Sequence, residues 1–303
     1  MIVAGMEPHY ATSLGQCFQG DARDVLRQLP DASVDLVLTS PPFALLRRKA
    51  YGNVAASEYI AWFWPFAIEI HRVLTAEGSF VLELGGAWER GRGTRSLCPY
   101  ELILRLGQLF HLAQEFYWYN PSKLPTPAEW VTIRRTRVKD AVTPIWWLSK
   151  TTTPRADNRR VLQPYSRSMR RLLRDGYQTA RRPSQHVLSA HFRRDNGGAI
   201  PPNLLHVPNT RSRSAYFDRC RAAGLPIHPA RFPAAVPEFF IRFLTEPGQL
   251  VLDPFAGSNM TGHVAEQLGR RWLSIEINPE YVAGSQLRFD DTLILSAPGC
   301  AAR

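Results

Sequence analysis

Apolar residues in this chain occur both in short continuous runs and in longer segments at helical spacing. Continuous runs are typical of buried strands, whereas apolar positions repeated every three or four residues indicate amphipathic helices. Strands are predicted at Val34–Thr39, Gly78–Leu84, Pro144–Lys150, Gln249–Asp253 and Arg271–Glu276. Helices are predicted at Ser57–Leu74, Tyr100–Phe110, Pro237–Leu244 and Met260–Leu268. The alternation of strands and helices predicts an α/β fold with parallel strand pairing.

The chain divides into three regions by composition. Residues 1–150 and 228–303 carry the predicted strands and helices, whereas residues 151–227 are rich in Arg, Ser, Pro, Asn and Gly. The middle region fits a disordered basic linker or a partly ordered module whose basic face contacts phosphate. Apolar residues spaced along it favour the module. These are Val161, Leu162, Tyr165, Met169, Leu172, Leu173 and Tyr177.

Overall composition narrows the class of partner. The 303 residues suffice for one core domain and a smaller insert. A formal net charge of +11 favours a polyanionic partner, because cations that displace condensed counterions from DNA gain their release entropy. The four cysteines include no CxxC pair, so the sequence predicts neither a metal site nor a disulfide framework. With no apparent signal peptide or membrane span, we expect a cytoplasmic protein.

The motif DPFAGS, at Asp253–Ser258, lies at a predicted strand-to-helix junction. Gly257 lets the backbone approach a ligand closely, at the edge of the sheet where α/β proteins bind ligands. Glu276 ends the next strand and is placed to accept hydrogen bonds from ribose hydroxyls. Alone, this unit fits any nucleotide-binding βαβ unit or a structural turn. The lack of GxGxxG and of a P-loop lysine argues against a dinucleotide and against phosphoryl transfer.

The motif TSPPF directly follows the strand at Val34–Thr39. Pro41 and Pro42 remove backbone donors and fix φ, so the Pro41 carbonyl can point outward beside the Ser40 hydroxyl. These two acceptors match the two hydrogens of an exocyclic amine, and Phe43 offers a flat face for a base drawn out of a duplex. Alone, Ser-Pro-Pro equally fits a rigid turn at the end of a strand.

Together, TSPPF after VDLVL and DPFAGS before a helix and an acid resemble the motifs of DNA amino-methyltransferases. The catalytic motif precedes the cofactor motif, and this order resembles the circularly permuted beta group. The resemblance covers about residues 15–150 and 226–290. It implies a Rossmann-like fold with a seven-stranded, mostly parallel sheet and a basic target-recognition insert at 151–227. It also implies S-adenosylmethionine as the cofactor and double-stranded DNA as the partner.

The resemblance assigns individual site residues. Catalytic roles are implied for Ser40, Pro41, Pro42 and Phe43. Cofactor contacts are implied for Asp21, Thr39, Asp253, Pro254, Phe255, Ala256, Gly257, Ser258, Asn259, Glu276 and Ile277. Substrate contacts are implied for Arg47, Arg48, Tyr51, Asn120 and Lys123. Asp21 alone equally fits a cap of the helix that follows, and Asn120 an ordinary Asn-Pro turn.

One departure from the family concerns Asn259 and Met260, which stand where many relatives have Gly and Thr. Asn tolerates positive φ better than most residues, so the turn is expected to form.

The implied reaction is direct methyl transfer to an amino nitrogen, with proton release to solvent. No Pro-Cys dipeptide occurs, which argues against a cytosine-C5 enzyme. Serine at position 40 favours cytosine N4, and adenine N6 is the alternative. An RNA amino-methyltransferase and a silent DNA-binding relative are further alternatives. The expected role is the modification half of a restriction–modification pair, as a monomer or a homodimer.

Overall fold

The computed structural model describes residue 3 and residues 5–44, 54–86, 88–89, 91–176, 194–210, 215–289 and 293–296. It divides into two compact units, one of residues 1–156 with 203–303 and one of residues 157–202. The smaller unit lies within the region 151–227 that composition sets apart. Among the described residues, no helix has the length and apolar character needed to cross a bilayer.

One mixed sheet forms the centre of the larger unit. Its strands are β1 Tyr10–Thr12, β2 Gly15–Gln19, β3 Val34–Thr39, β4 Leu74–Glu83, β5 His111–Tyr119, β6 Val142–Ser149, β7 Leu204–His206, β8 Leu250–Asp253, β9 Arg271–Glu276 and β10 Leu293–Ser296. Their order across the sheet is β10-β1-β2-β9-β8-β3-β4-β6-β5-β7. Strands β2, β9, β8, β3 and β4 run parallel, and β6 is antiparallel to both β4 and β5.

The predicted seven-stranded, mostly parallel sheet is confirmed as the run from β2 to β5. Within the described residues, three further strands extend it, with β1 and β10 at one edge and β7 at the other. Strand β5 was not predicted from the sequence. Its first five residues are exposed, so the segment lacks the continuous apolar run that identified β3, β4, β6, β8 and β9. The short strands β1, β2, β7 and β10 were not predicted either.

Helices cover both faces of the sheet. They are α1 Ala22–Arg27, α2 Tyr59–Val73, α3 Cys98–Leu106, α5 Ala215–Ala222, α6 Ala235–Leu244, α7 Met260–Gln267 and α8 Pro279–Gln286, while α4 Arg167–Asp175 belongs to the smaller unit. Along β3, Val37 packs with α1 and α2 on one face, whereas Leu36 and Leu38 pack with α6 on the other. Because successive side chains point to opposite faces, a strand buried on both faces appears as a continuous apolar run.

The smaller unit combines a 3₁₀ turn, Asn158–Val161, with α4. Ser166 caps α4 by accepting a hydrogen bond from the Met169 amide at 3.1 Å. One side of the helix packs the half-buried residues Met169, Leu172 and Leu173, and its four arginines are exposed. These arginines are Arg167, Arg170, Arg171 and Arg174. The middle region therefore contains ordered structure with an exposed basic face.

Candidate active site

A cavity of about 690 Å³ lies at the carboxyl edge of the parallel strands in the larger unit. Each of the five neighbouring parallel strands contributes a residue at or just beyond its carboxyl end. These residues are Gly20 after β2, Ser40 after β3, Glu83 on β4, Asp253 on β8 and Glu276 on β9. Parallel strands end at one edge, so motifs that are far apart in sequence meet there.

Most of the predicted site residues line this cavity. They are Asp21, Ser40, Pro41, Pro42, Phe43, Asn120, Lys123, Asp253, Pro254, Phe255, Ala256, Gly257, Ser258, Glu276 and Ile277. The structure thus brings the TSPPF and DPFAGS motifs to one site. The predicted substrate residues Arg47, Arg48 and Tyr51 lie outside the described residues.

Two predicted cofactor contacts, Thr39 and Asn259, are not among the lining residues, because both are fully buried behind the cavity wall. The Thr39 hydroxyl donates to the Asp253 carboxylate at 2.6 Å. Asn259 Oδ1 accepts from the Gly262 amide at 3.0 Å and from the Ser274 hydroxyl at 2.7 Å. Asn259 has φ 51° and ψ 47°, the left-handed conformation that its tolerance of positive φ allows. The predicted cofactor contacts of these two residues stay predictions; in the structure their buried side chains support the wall of the cavity.

Ser40 is hydrogen bonded to a carboxylate that was not predicted from the sequence. Its hydroxyl donates to Oε2 of Glu83, the buried last residue of β4. Burial raises the pKa of Glu83 to about 7, while the Ser40 hydrogen bond and the positive charge of Lys123 oppose that rise. Because the Ser40 proton is directed to Glu83, the Ser40 oxygen is left to accept hydrogen bonds from another group.

A sequence signal for Glu83 does exist. GSFVLEL carries one charged residue, and that residue is the last but one of the strand predicted at Gly78–Leu84. A carboxylate at the carboxyl end of a neighbouring parallel strand is positioned to reach the same edge. The sequence does not establish that β3 and β4 are neighbours. Glu83 can therefore be assigned to the site only once the strand order is known.

Contacts on both sides hold the Ser-Pro-Pro-Phe segment in place. The Tyr59 hydroxyl of α2 donates to the Pro42 carbonyl at 2.8 Å. The Phe43 ring packs so closely over Gly85 that a Cβ at that position would lie 2.3 Å from the ring. With the φ angles of both prolines restricted, these contacts fix the position of Ser40 relative to Glu83.

Glu276 and Gly257 form the wall nearest the DPFAGS turn. The Glu276 carboxylate accepts from the Gly257 amide at 2.8 Å and from the Asn278 amide at 2.9 Å, one bond to each oxygen. Each oxygen keeps capacity for a further hydrogen bond, so Glu276 can still accept from ribose hydroxyls. Gly257 has φ +51°, and a Cβ there would lie 3.0 Å from the His228 ring. Any larger residue at this turn would therefore meet both backbone strain and crowding against His228.

Aromatic side chains form an apolar wall beside that turn. The Phe255 ring lies 26° from parallel to Phe63, with centroids 6.3 Å apart. It also contacts Trp62 at 5.8 Å and Phe66 at 5.0 Å between centroids. The cavity thus combines flat apolar surface, carboxylate acceptors and a close backbone approach, and this set of groups fits a nucleoside-containing cofactor such as S-adenosylmethionine.

Asp21 has the local role that its sequence position allows. Its carboxylate caps α1 by accepting from the Arg23 amide at 2.9 Å, and it also pairs with the Arg23 guanidinium. The hydrogen bond from Arg23 is the main cause that lowers the pKa of Asp21. The residue lines the cavity as well, so the cap and the predicted cofactor contact are compatible.

His228 and Arg231 line the cavity and were not singled out from the sequence. Burial lowers the pKa of His228 to about 4, so its imidazole is neutral near pH 7. Nδ1 of His228 is hydrogen bonded to the Ala230 carbonyl, while its ring packs edge-on against Tyr281 with centroids 4.4 Å apart. No motif marks this histidine, because its place depends on the fold bringing residue 228 to the DPFAGS turn.

The buried carboxyl of Glu83 should make stability depend on pH. Its pKa is 4.5 in a reference state and about 7 in the fold, so the folded protein binds the proton more tightly. Stability from this group is therefore lost as pH rises from about 4.5 to about 7. We expect Glu83→Gln to gain stability over the wild type as pH rises, by up to about 3 kcal/mol at pH 8.

Urea unfolding of both proteins between pH 5 and pH 8 measures this difference. Glu101→Gln, which changes an exposed carboxyl on α3, is the matched control and should show no such trend. A constant difference between wild type and Glu83→Gln across this range would contradict the raised pKa.

The described residues contain no group of three or more His, Cys, Asp or Glu side chains arranged to hold a metal ion.

Comparisons with known proteins extend over most of the chain. A family model described as DNA methylase matches residues 34–287. The Type II methyltransferase M.PvuII of Proteus hauseri is 49% identical over 299 residues, covering 97% of this chain and 89% of that protein. A solved structure described as PvuII DNA methyltransferase (cytosine-N4-specific) has a TM-score of 0.77 at 44% identity, covering 94% of this chain and 89% of that one.

A more distant likeness supports the fold alone. A protein of Thermus thermophilus, solved in complex with S-adenosyl-L-methionine, aligns with a TM-score of 0.59 at 20% identity. That alignment covers 94% of this chain and 96% of the other. The family match spans both motifs that line the cavity, and the predicted resemblance to the amino-methyltransferases of DNA is confirmed. This chain belongs to the DNA methylase family.

Proposed function

We propose that this protein transfers a methyl group from S-adenosylmethionine to the N4 amino group of cytosine in double-stranded DNA. The observation that carries the proposal is the Ser40–Glu83 hydrogen bond at the cavity that also holds the DPFAGS turn. The similar protein from Proteus hauseri, whose structure is described as cytosine-N4-specific, supports the choice of base.

In this reaction Ser40 accepts one hydrogen bond from the amino group. Its own proton is directed at Glu83, so its oxygen presents lone pairs to the amine. The Pro41 carbonyl is the second acceptor. Hydrogen bonds to both N–H groups draw the nitrogen lone pair out of conjugation with the ring. Fixed acceptors of this kind need no reorganisation during reaction, which is a large source of rate enhancement.

Glu83 gives the departing proton a destination. As the amino nitrogen becomes methylated it must lose one proton, which passes to the Ser40 oxygen while the Ser40 proton moves to Glu83. A pKa of about 7 makes this carboxyl largely ionised above neutral pH yet basic enough to accept a proton. This route replaces the expectation of direct release to solvent.

The opposite part of the cavity holds the methyl donor. S-adenosylmethionine supplies a methyl group on a sulfonium, which needs only alignment with the amino nitrogen. Glu276 would accept from the ribose, the wall beside Phe255 would pack against apolar parts of the cofactor, and Gly257 would permit its close approach. The Asp253 carboxylate fixes the turn by accepting hydrogen bonds from the hydroxyls of Thr39 and Thr261. Burial raises the pKa of this carboxyl to about 6.

The target base reaches this cavity by leaving the helix. An amino group in a base pair is inaccessible to Ser40, and extruding the base is the usual solution of enzymes that act on bases. Phe43 provides a stacking face for the extruded ring, and Asn120 and Lys123 line the same cavity.

The basic middle region supports recognition of the duplex. The exposed arginines of α4 can bind phosphates, and arginine can also bind guanine in the major groove. We assign target recognition to residues 151–227 and infer that the protein acts in the cytoplasm as the modification half of a restriction–modification pair. It needs no stable complex with the nuclease, because a monomer or a homodimer can methylate each strand in turn.

The product identifies the reaction. The purified protein is incubated with S-adenosylmethionine and unmethylated genomic DNA, and the nucleosides are then analysed by mass spectrometry. We expect N4-methylcytosine. N6-methyladenine would keep the architecture and refute the assignment of Ser40 as a cytosine selector. Methylation of stem-loop RNA in preference to duplex DNA would favour the RNA enzyme instead.

A further inference from the structure

The connection between β5 and β6, residues 120–141, carries exposed aliphatic side chains; we term it the rim loop. It begins at the cavity, since Asn120 and Lys123 line it. Leu124, the next residue, is 72% exposed, and Val138 on the returning arm is 87% exposed. Single exposed aliphatic side chains are ordinary, so what distinguishes these two is their place on a loop that begins at the cavity.

Charge on the rim loop indicates the chemistry of that partner. The loop has five cations against two carboxylates, Glu129 and Asp140. The cations are Lys123, Arg134, Arg135, Arg137 and Lys139. Apolar side chains within such a basic surface suit a polyanion that also offers apolar contact area. Duplex DNA offers both negative phosphates and, where its bases unstack, apolar base faces. A hydrophobic protein surface would offer no negative charge to the cations of the loop.

The rim loop is fixed despite its exposure. Lys139 Nζ donates to the carbonyls of Pro121 at 2.9 Å and Lys123 at 3.2 Å, so it clamps the two arms together near the cavity. The Arg137 guanidinium lies 4.1 Å from the ring centroid of Trp88. A salt bridge of 2.8 Å joins Asp140 to Arg95. A group that separates stacked bases must hold its position against their stacking energy, and these contacts provide that support.

We propose that Leu124 and Val138 form a wedge that enters the duplex beside the target base and occupies the space the base vacates. Each neighbours a residue of the Lys139 clamp: Leu124 follows Lys123, and Val138 precedes Lys139 itself. The clamp thus holds the returning arm of the loop, which carries Val138, beside the arm that begins at the cavity and carries Leu124. The excess positive charge of the loop attracts the flanking phosphates. This inference rests on the proposed function and adds the residues that drive base extrusion.

The test uses a duplex with the mapped methylation site and 2-aminopurine next to the target cytosine, whose fluorescence rises when the bases unstack. The double variant Leu124→Ala/Val138→Ala is compared with the wild type. We expect it to lose most of the fluorescence rise and about 10-fold or more in kcat/KM. Leu104→Ala is the matched control, because Leu104 is 78% exposed on α3 and does not line the cavity. It should behave as wild type.

A second substrate separates a wedge from a structural role. When the target cytosine lies opposite an abasic site, extrusion costs less, so the double variant should recover to within about threefold of wild-type kcat/KM. Equal losses on the paired and abasic substrates would overturn the wedge, as would unchanged fluorescence and rate on the paired duplex. Altered sedimentation of the double variant with normal extrusion would make the loop a protein interface and also overturn it. If the wild type forms no N4-methylcytosine, the proposed function itself fails.

Discussion

Ser40→Ala is expected to lower kcat by about 10²- to 10³-fold and to change the Kd for S-adenosylmethionine by less than about twofold. The variant removes an acceptor for the amino group and the path for its proton to Glu83, and leaves the DPFAGS turn intact. Single-turnover methylation measures the chemical step, and equilibrium titration measures cofactor binding. Ser33→Ala is the control, because Ser33 lies at the other end of β3 and donates to the Pro30 carbonyl.

The pH profile of the same variant tests the link to Glu83. For the wild type, kcat should rise with pH through about 7, since the ionised carboxyl accepts the proton. The Ser40 hydrogen bond lowers the pKa of Glu83, so removing it should move the residual activity to higher pH. Combining Ser40→Ala with Glu83→Gln should cost little more than either change alone, because the two groups act in one relay. Full turnover by Ser40→Ala, or additive losses in the double variant, would refute the relay.

Gly257→Ala is expected to weaken S-adenosylmethionine binding by about 10- to 100-fold. A Cβ at this position would lie 3.0 Å from the buried His228 ring, and the turn has φ +51°. Shifting either group alters the wall that includes Glu276, whose carboxylate accepts from the Gly257 amide at 2.8 Å. Isothermal titration with the cofactor measures the change directly.

Gly248→Ala is the control that distinguishes the effect of backbone strain in Gly257→Ala from the effect of crowding against His228. Gly248 has φ +84°, with no heavy atom within 4 Å of the position that a Cβ would take, so alanine there meets strain alone. Both variants should lose about 1 kcal/mol or more of stability, and Gly248→Ala should bind the cofactor normally. Equal affinity of the two variants would show that the closeness of Gly257 to His228 does not shape the cofactor wall.

The site depends on the topology of the sheet more than on the order of the motifs in sequence. TSPPF follows β3 and DPFAGS follows β8, and these strands are parallel neighbours. Thr39 and Asp253, at the ends of the two strands, are joined by a hydrogen bond of 2.6 Å. This hydrogen bond couples the two turns, and in the proposed reaction it would help to hold the methyl donor and the acceptor nitrogen in line.

Local sequence determined much of the architecture. Continuous apolar runs identified β3 and β9 with their observed bounds, because these strands are buried on both faces. Conformational restriction identified the two turns: proline limits Pro41 and Pro42, and Gly257 and Asn259 accept positive φ. Each of these patterns involves residues that are adjacent in the chain, so it can be recognised without knowledge of the tertiary structure.

Tertiary structure alone decided which side chains meet. Glu83 becomes the partner of Ser40 because β4 lies beside β3. His228 lies against Gly257 only because the fold brings these distant parts of the chain together. Thr39 and Asn259 belong to the predicted motifs, yet strand geometry turns them into the interior. The raised pKa of Glu83 likewise comes from burial, which depends on elements far away in sequence. Sequence thus determined the central strands, the two turns and Ser40, whereas packing determined the partner of Ser40, the protonation of Glu83 and the groups that face the cavity.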